Sequence, residues 1–114
     1  MRLLKSAILA GLILLGAGEV RGATLTLTWI DNSNAETGQE IWSCLGTGCT
    51  AFAIQTTVAA NLQSFLDSNL AELVTKCYEV RAVSSTTPAA NSNFSNQACG
   101  TTRLNAVSSL VVGN

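Results

Sequence analysis

Apolar and polar residues alternate along several short stretches of this chain. Ala23 to Trp29 reads A-T-L-T-L-T-W, which puts Leu25, Leu27 and Trp29 on one side and threonines on the other. A period of two marks a half-buried β-strand. Asp31-Asn32-Ser33-Asn34 follows as a turn, because these side chains bond their own backbone. The same reading predicts strands over 39–45, 49–58, 61–67, 76–83 and 94–102. Gly46-Thr47-Gly48 makes a tight reversal, and the polar stretch 84–93, with the single proline Pro88, forms a loop. The segment 69–74 has the nearest approach to helical spacing and reads as a corner between strands. Strands and turns recurring every eight to twelve residues predict an all-β, two-sheet sandwich.

The first twenty-odd residues have a different pattern. Arg2 and Lys5 precede an apolar run from Ile8 to Leu15, and small residues follow at Gly16, Ala17 and Gly18. This is the layout of a secretory signal peptide, assigned here to 1–22, with Val20 and Gly22 suited to the cleavage positions. The run is short of the ~20 residues that span a bilayer, so no membrane span is expected in the mature chain. The expected location is secreted or extracellular, with the periplasm or cell surface as alternatives.

Composition narrows the chemistry. The 114 residues include no histidine, which removes the commonest general base and metal ligand. After Gly22 remain Lys76, Arg81 and Arg103 against Asp31, Glu36, Glu40, Asp67, Glu72 and Glu79, a net charge of −3. Such a chain does not suit nucleic acid. Serine and aspartate occur, but nothing is present to complete a triad. Glu36 and Glu40 read as a solvated face rather than a glycosidase pair. Asp31-x-Ser33 lacks the acids of a calcium loop. Gly46-x-Gly48 has no following helix to cradle phosphate. Asn93-Phe94-Ser95 is a glycosylation sequon, meaningful only in a host that modifies exported proteins. No catalytic residue, metal or cofactor is expected, and the chain is read as a non-enzyme.

Cys44, Cys49, Cys77 and Cys99 are an even set in an exported chain, for which disulfides are the default. The C-x4-C spacing does not suit a zinc knuckle. It also lacks the C-x-x-C and basic neighbour of a redox pair.

Three segments together resemble the fibronectin type III family: L-T-L-T-W at 25–29 with the following D-N-S, E-T-G-Q-E-I-W at 36–42, and 64–83, S-F-L-D-S-N-L-A-E-L-V-T-K-C-Y-E-V-R-A-V. S-N-Q-A at 95–98 fits the final strand. The resemblance implies an immunoglobulin-like sandwich over 23–102, with Leu25, Leu27, Trp29, Ile41, Tyr78 and Val80 in its core. The family's corner tyrosine falls at Lys76, so either Tyr78 substitutes or the corner is built differently. The family's first strand has no counterpart after the expected cleavage site. In this fold the sixth and seventh strands are antiparallel neighbours. Cys77 and Cys99 would then both face outward as a cross-strand bridge, and Cys44–Cys49 would close a hairpin tip.

Residues 103–114 lie beyond the last family strand. Leu104, Ala106, Val107, Leu110, Val111 and Val112 make this an apolar extension that should be buried somewhere. In tandem type III arrays the corresponding segment is the neighbour's first strand. The extension could thus enter the next molecule beside Leu25–Trp29, and repetition would give a filament. The resulting expectation is a structural or adhesive subunit that pairs with itself. The alternative is a monomeric module that binds an extracellular protein or glycan through an exposed Trp42, a residue that could equally shield a disulfide.

Overall fold

A computed structural model describes residues 22–86 and 88–114. The signal-peptide reading of 1–22 lies, apart from Gly22, outside the described residues.

The described chain is all-β, in two packed sheets. The elements are β1 (Ala23–Thr28), β2 (Gly38–Leu45), β3 (Ala53–Ala59), β4 (Ser64–Leu70), β5 (Thr75–Ser84), β6 (Ala90–Asn91) and β7 (Ala98–Thr101). The small sheet is the antiparallel pair β1–β4, with Leu25 opposite Asp67 and Leu27 opposite Phe65. The large sheet runs β3-β2-β5, after which β6 and β7 pair in turn along the far edge of β5.

Alternation decides which side chains meet between the sheets. Leu25, Leu27, Phe65 and Asp67 face Ile41, Tyr78 and Val80. Ile41 is fully enclosed and Tyr78 is buried, while Leu25, Leu27, Trp29 and Val80 remain half-buried. The Trp29 indole donates to the buried Gln39 side chain and bridges the layers. Thr24, Thr26 and Thr28 occupy the solvated face of β1, as their spacing predicts.

Several boundaries differ from the sequence reading. The strand expected over 49–58 begins at Ala53, because Cys49 belongs to the tight loop after β2. Gly46 and Gly48 adopt φ of 101° and 71° there, values that glycine reaches without a steric penalty. The strand expected over 61–67 is shifted to Ser64–Leu70 and takes in the start of the predicted corner. The stretch 84–93 contains the short β6. The strand expected over 94–102 is regular only at Ala98–Thr101. Upstream, serine hydroxyls stand in for strand pairing: Val80 N–H donates to Ser95 Oγ and Ala82 N–H to Ser92 Oγ.

The extension 103–114 carries no strand of its own. Its apolar side chains are open to solvent, with Val107 93%, Leu110 86% and Val112 87% exposed. A β-strand exists only through its partner, and this segment pairs with none of the described strands.

Candidate functional site

Two features stand out among the described residues: the outer edge of β1 pairs with no strand, and the apolar side chains of the extension are open to solvent. β1 pairs with β4 on one side only. Trp29 N–H donates to Gln63 C=O, in phase with the Leu27–Phe65 and Leu25–Asp67 pairs. Antiparallel ladders alternate, so the N–H and C=O groups of Thr24, Thr26 and Thr28 point to the free edge. Such an edge is a template for another strand.

A groove of about 660 Å³ runs along that edge between the sheets. Leu25, Leu27 and Trp29 form one wall, and Tyr78, Val80, Ala98 and Gly100 form the other. It meets a second depression of about 600 Å³ at the Asp31–Asn34 turn, bounded by Ser92–Ser95. At the opposite pole lies a third, of about 440 Å³, between Ala23–Leu25 and Thr101–Leu104. Gly100 keeps the floor low: a Cβ there would lie 3.1 Å from Leu25 Cδ2. The half-burial of Leu25, Leu27, Trp29 and Val80 follows from this opening.

The pole from which the extension leaves is firmly tied. Thr102 is buried; its N–H donates to Val74 C=O (2.9 Å), and its Oγ accepts from Val74 N–H (3.0 Å) and donates to Ala71 C=O (2.7 Å). These bonds close the corner before β5, where Leu73 sits at a positive φ of 58°. Sequence reading missed Thr102, because nothing local marks a threonine that bonds a corner 28 residues away.

Asp67 was not singled out either, yet it organises the corner. Its carboxylate accepts from Lys76 Nζ (2.8 Å), Tyr78 OH (2.6 Å) and Gln55 Nε2 (2.9 Å). Lys76 thus holds an ion pair with it, and Tyr78, two residues on, donates its phenol to the same carboxylate. Burial raises the Tyr78 pKa and the neighbouring carboxylate adds to the rise. Burial by itself would also raise Asp67, but the bonds from Lys76, Tyr78 and Gln55 outweigh it and hold the carboxyl below its ordinary value. A carboxyl depressed in the folded state stabilises the fold above its unfolded pKa of ~3.9. That contribution is lost as pH falls through the folded value. Thermal unfolding across pH should therefore find Asp67's contribution level from neutrality to about pH 5 and lost below about pH 4. In Asp67→Asn this part of the acid-induced fall should vanish.

The cysteines pair as Cys44–Cys49 and Cys77–Cys99. Cys77 lies on the face opposite Tyr78, as alternation requires, but it is buried rather than outward-exposed. β5 is the middle strand, and Cys77 sits in register between Cys44 on β2 and Cys99 on β7, so the neighbouring bridges cover it. Two disulfides point to an oxidising environment. No helix among the described residues is long and apolar enough to cross a membrane.

Trp42 is half-buried rather than openly presented. Its ring meets Phe94 edge-on at 5.4 Å, Arg81 stacks 5.3 Å from its centre, and its Nε1 donates to Glu40 at 2.9 Å. Arg81 Nε also donates to Glu40, at 2.8 Å. Glu40 thus accepts from both Trp42 and Arg81, and the ring is packed against Phe94.

No protein-family model matches the chain, and no curated protein matches it either.

Proposed function

We propose that this is a non-enzymatic, exported structural or adhesive subunit of fibronectin type III kind, in which the C-terminal extension of one copy completes the sandwich of the next. The observation that carries the reading is a coincidence within one chain. Among the described residues, an unpaired strand edge above an apolar groove occurs together with a solvent-exposed apolar segment long enough to cover it. β1 itself is six residues, about 20 Å at the rise of a strand, and Leu104–Val112 is nine, about 30 Å if extended, enough to run the whole edge and reach past Trp29. Strand addition would satisfy the backbone groups of the edge and remove both apolar surfaces from water.

The family resemblance gains support from the partition of strands. Sandwiches of this architecture put the second and fifth strands in one sheet and the third, sixth and seventh in the other. Here β1 and β4 form one sheet, and β2, β5 and β7 belong to the other. In that numbering, the groove occupies the place of the first strand. Export through a signal peptide is supported by the basic-apolar-small layout of the N-terminus and by the two disulfides. Trp42, half-buried and packed against Phe94, gives the alternative ligand-face reading no such support.

Size-exclusion chromatography and negative-stain imaging of the exported protein test the proposal. The intact chain should form elongated polymers, and removal of 103–114 should leave monomers that keep both disulfides. Polymers that persist without the extension would overturn it.

A further inference from the structure

Resting on the strand-donation reading, we propose that residues 104–112 of a second copy enter the groove antiparallel to β1, from the Asp31–Asn34 pole, so that assembly is an open head-to-tail chain.

Two observations fix this polarity, and a third shows which face of the guest turns inward. The extension leaves at the pole where β1 begins, since Arg103 and Leu104 line one depression with Ala23 and Leu25. A molecule filling its own groove would have to reverse direction immediately after Thr102 and run parallel to β1. A closed dimer with antiparallel insertion needs the same reversal. Thr102 is held by Val74 and Ala71, and residues 103–107 contain no turn. Continuing straight on in the direction of β7, the extension meets the opposite pole of a following copy. There a guest antiparallel to β1 must enter.

The second observation is charge. Arg103 at the root of the extension has no ion-pair partner among the described residues. The entry pole carries Asp31 and Glu36 side by side, close enough for each to perturb the other's ionisation. Antiparallel entry brings Arg103 to these two acids, whereas parallel docking leaves it at Ala23.

The third is the pattern of the extension itself. Residues opposite one another in an antiparallel pair share a face. Leu104, Ala106, Leu110 and Val112 fall on one face of an extended strand, with only Ser108 polar among them. The other face offers Val107 and Val111. Insertion with the first face inward sets four apolar side chains against the groove. It requires Ser109, now at a φ of 59°, to become extended.

The full exported chain carrying a photo-crosslinking amino acid at position 104 reads the polarity directly. The expected crosslink joins residue 104 to peptides spanning Asp31–Asn34 of another copy. Residue 104 lies beside Ala23–Leu25 of its own molecule, so only crosslinks between copies decide: one to Ala23–Leu25 of another copy, or to an unrelated protein, would overturn the inference. A charge exchange gives an independent reading. Arg103→Glu should slow polymer growth on the order of tenfold at low salt, and Asp31→Arg in the same chain should restore it. Polymers that grow equally well with Arg103→Glu, or without rescue, would leave strand donation standing and remove this polarity. A wild-type chain that stays monomeric would remove both.

Discussion

Asp67→Ala is expected to lower the unfolding free energy by about 3–5 kcal/mol, the cost of removing one partner from a buried ion pair. The reason is what the substitution leaves behind. The Lys76 ammonium, 12% exposed, would lose its counter-ion at 2.8 Å, and the buried Tyr78 hydroxyl and the Gln55 amide would lose acceptors. The buried Tyr78 hydroxyl carries a desolvation penalty of about 1–3 kcal/mol when orphaned, whereas the exposed Gln55 amide can turn to water. A domain of this size has only about 5–15 kcal/mol in total, so the loss should show as a large drop in denaturant midpoint.

The paired variant Asp67→Leu with Lys76→Met separates loss of the pair from abandonment of one charge. Replacing both members by apolar groups is often neutral or better. The double variant should therefore recover most of the single variant's loss in the same denaturant titration. Equal loss in single and double variants would mean that the corner depends on the carboxylate as a hydrogen-bond acceptor for Tyr78 and Gln55 more than on its charge.

The local pattern carried much of the fold, and the reasons are visible residue by residue. L-T-L-T-W announced β1 because alternation is enforced by the pleat and needs no distant partner. The hairpin tip at Gly46–Gly48 was equally legible, since its positive φ values select glycine. Boundaries were misplaced where a distant group took over the backbone. Ser92 and Ser95 cap β5 amides through their hydroxyls, so the chain from 92 to 97 follows β5 without forming a regular strand. The corner was opaque for the same reason. Lys76 looked like a departure from a tyrosine position, and only the fold shows that Asp67 serves both Lys76 and Tyr78. The two halves of the candidate site were each readable, as a strand lacking a neighbour and an apolar segment lacking cover. The groove between them was not, because its depth depends on Gly100 and Ala98 lying opposite Leu25 and Leu27 in the other sheet.

Removing the Cys77–Cys99 bridge, as Cys77→Ala with Cys99→Ala, is expected to cost about 3 kcal/mol, against about 2 for the equivalent change at Cys44 and Cys49. In the chain-entropy model a cross-link stabilises by the freedom it takes from the unfolded chain, which grows with the logarithm of the loop. The bridges span 22 and 5 residues, respectively. Position adds to the difference, because Cys77 is buried in the middle strand while Cys49 lies in a loop at the rim. The consequence reaches the groove. Among the described strands β7 pairs with β5 alone, through Thr75–Tyr78, and this bridge clamps the centre of that pairing. Ala98 and Gly100, on either side of Cys99, form the groove's far wall. Loss of the bridge should thus speed hydrogen exchange at Ala98–Thr101 and weaken the proposed strand donation together, while loss of Cys44–Cys49 should lower stability and leave that donation unchanged. Equal effects of the two bridges on donation would mean that the far wall keeps its shape without the staple.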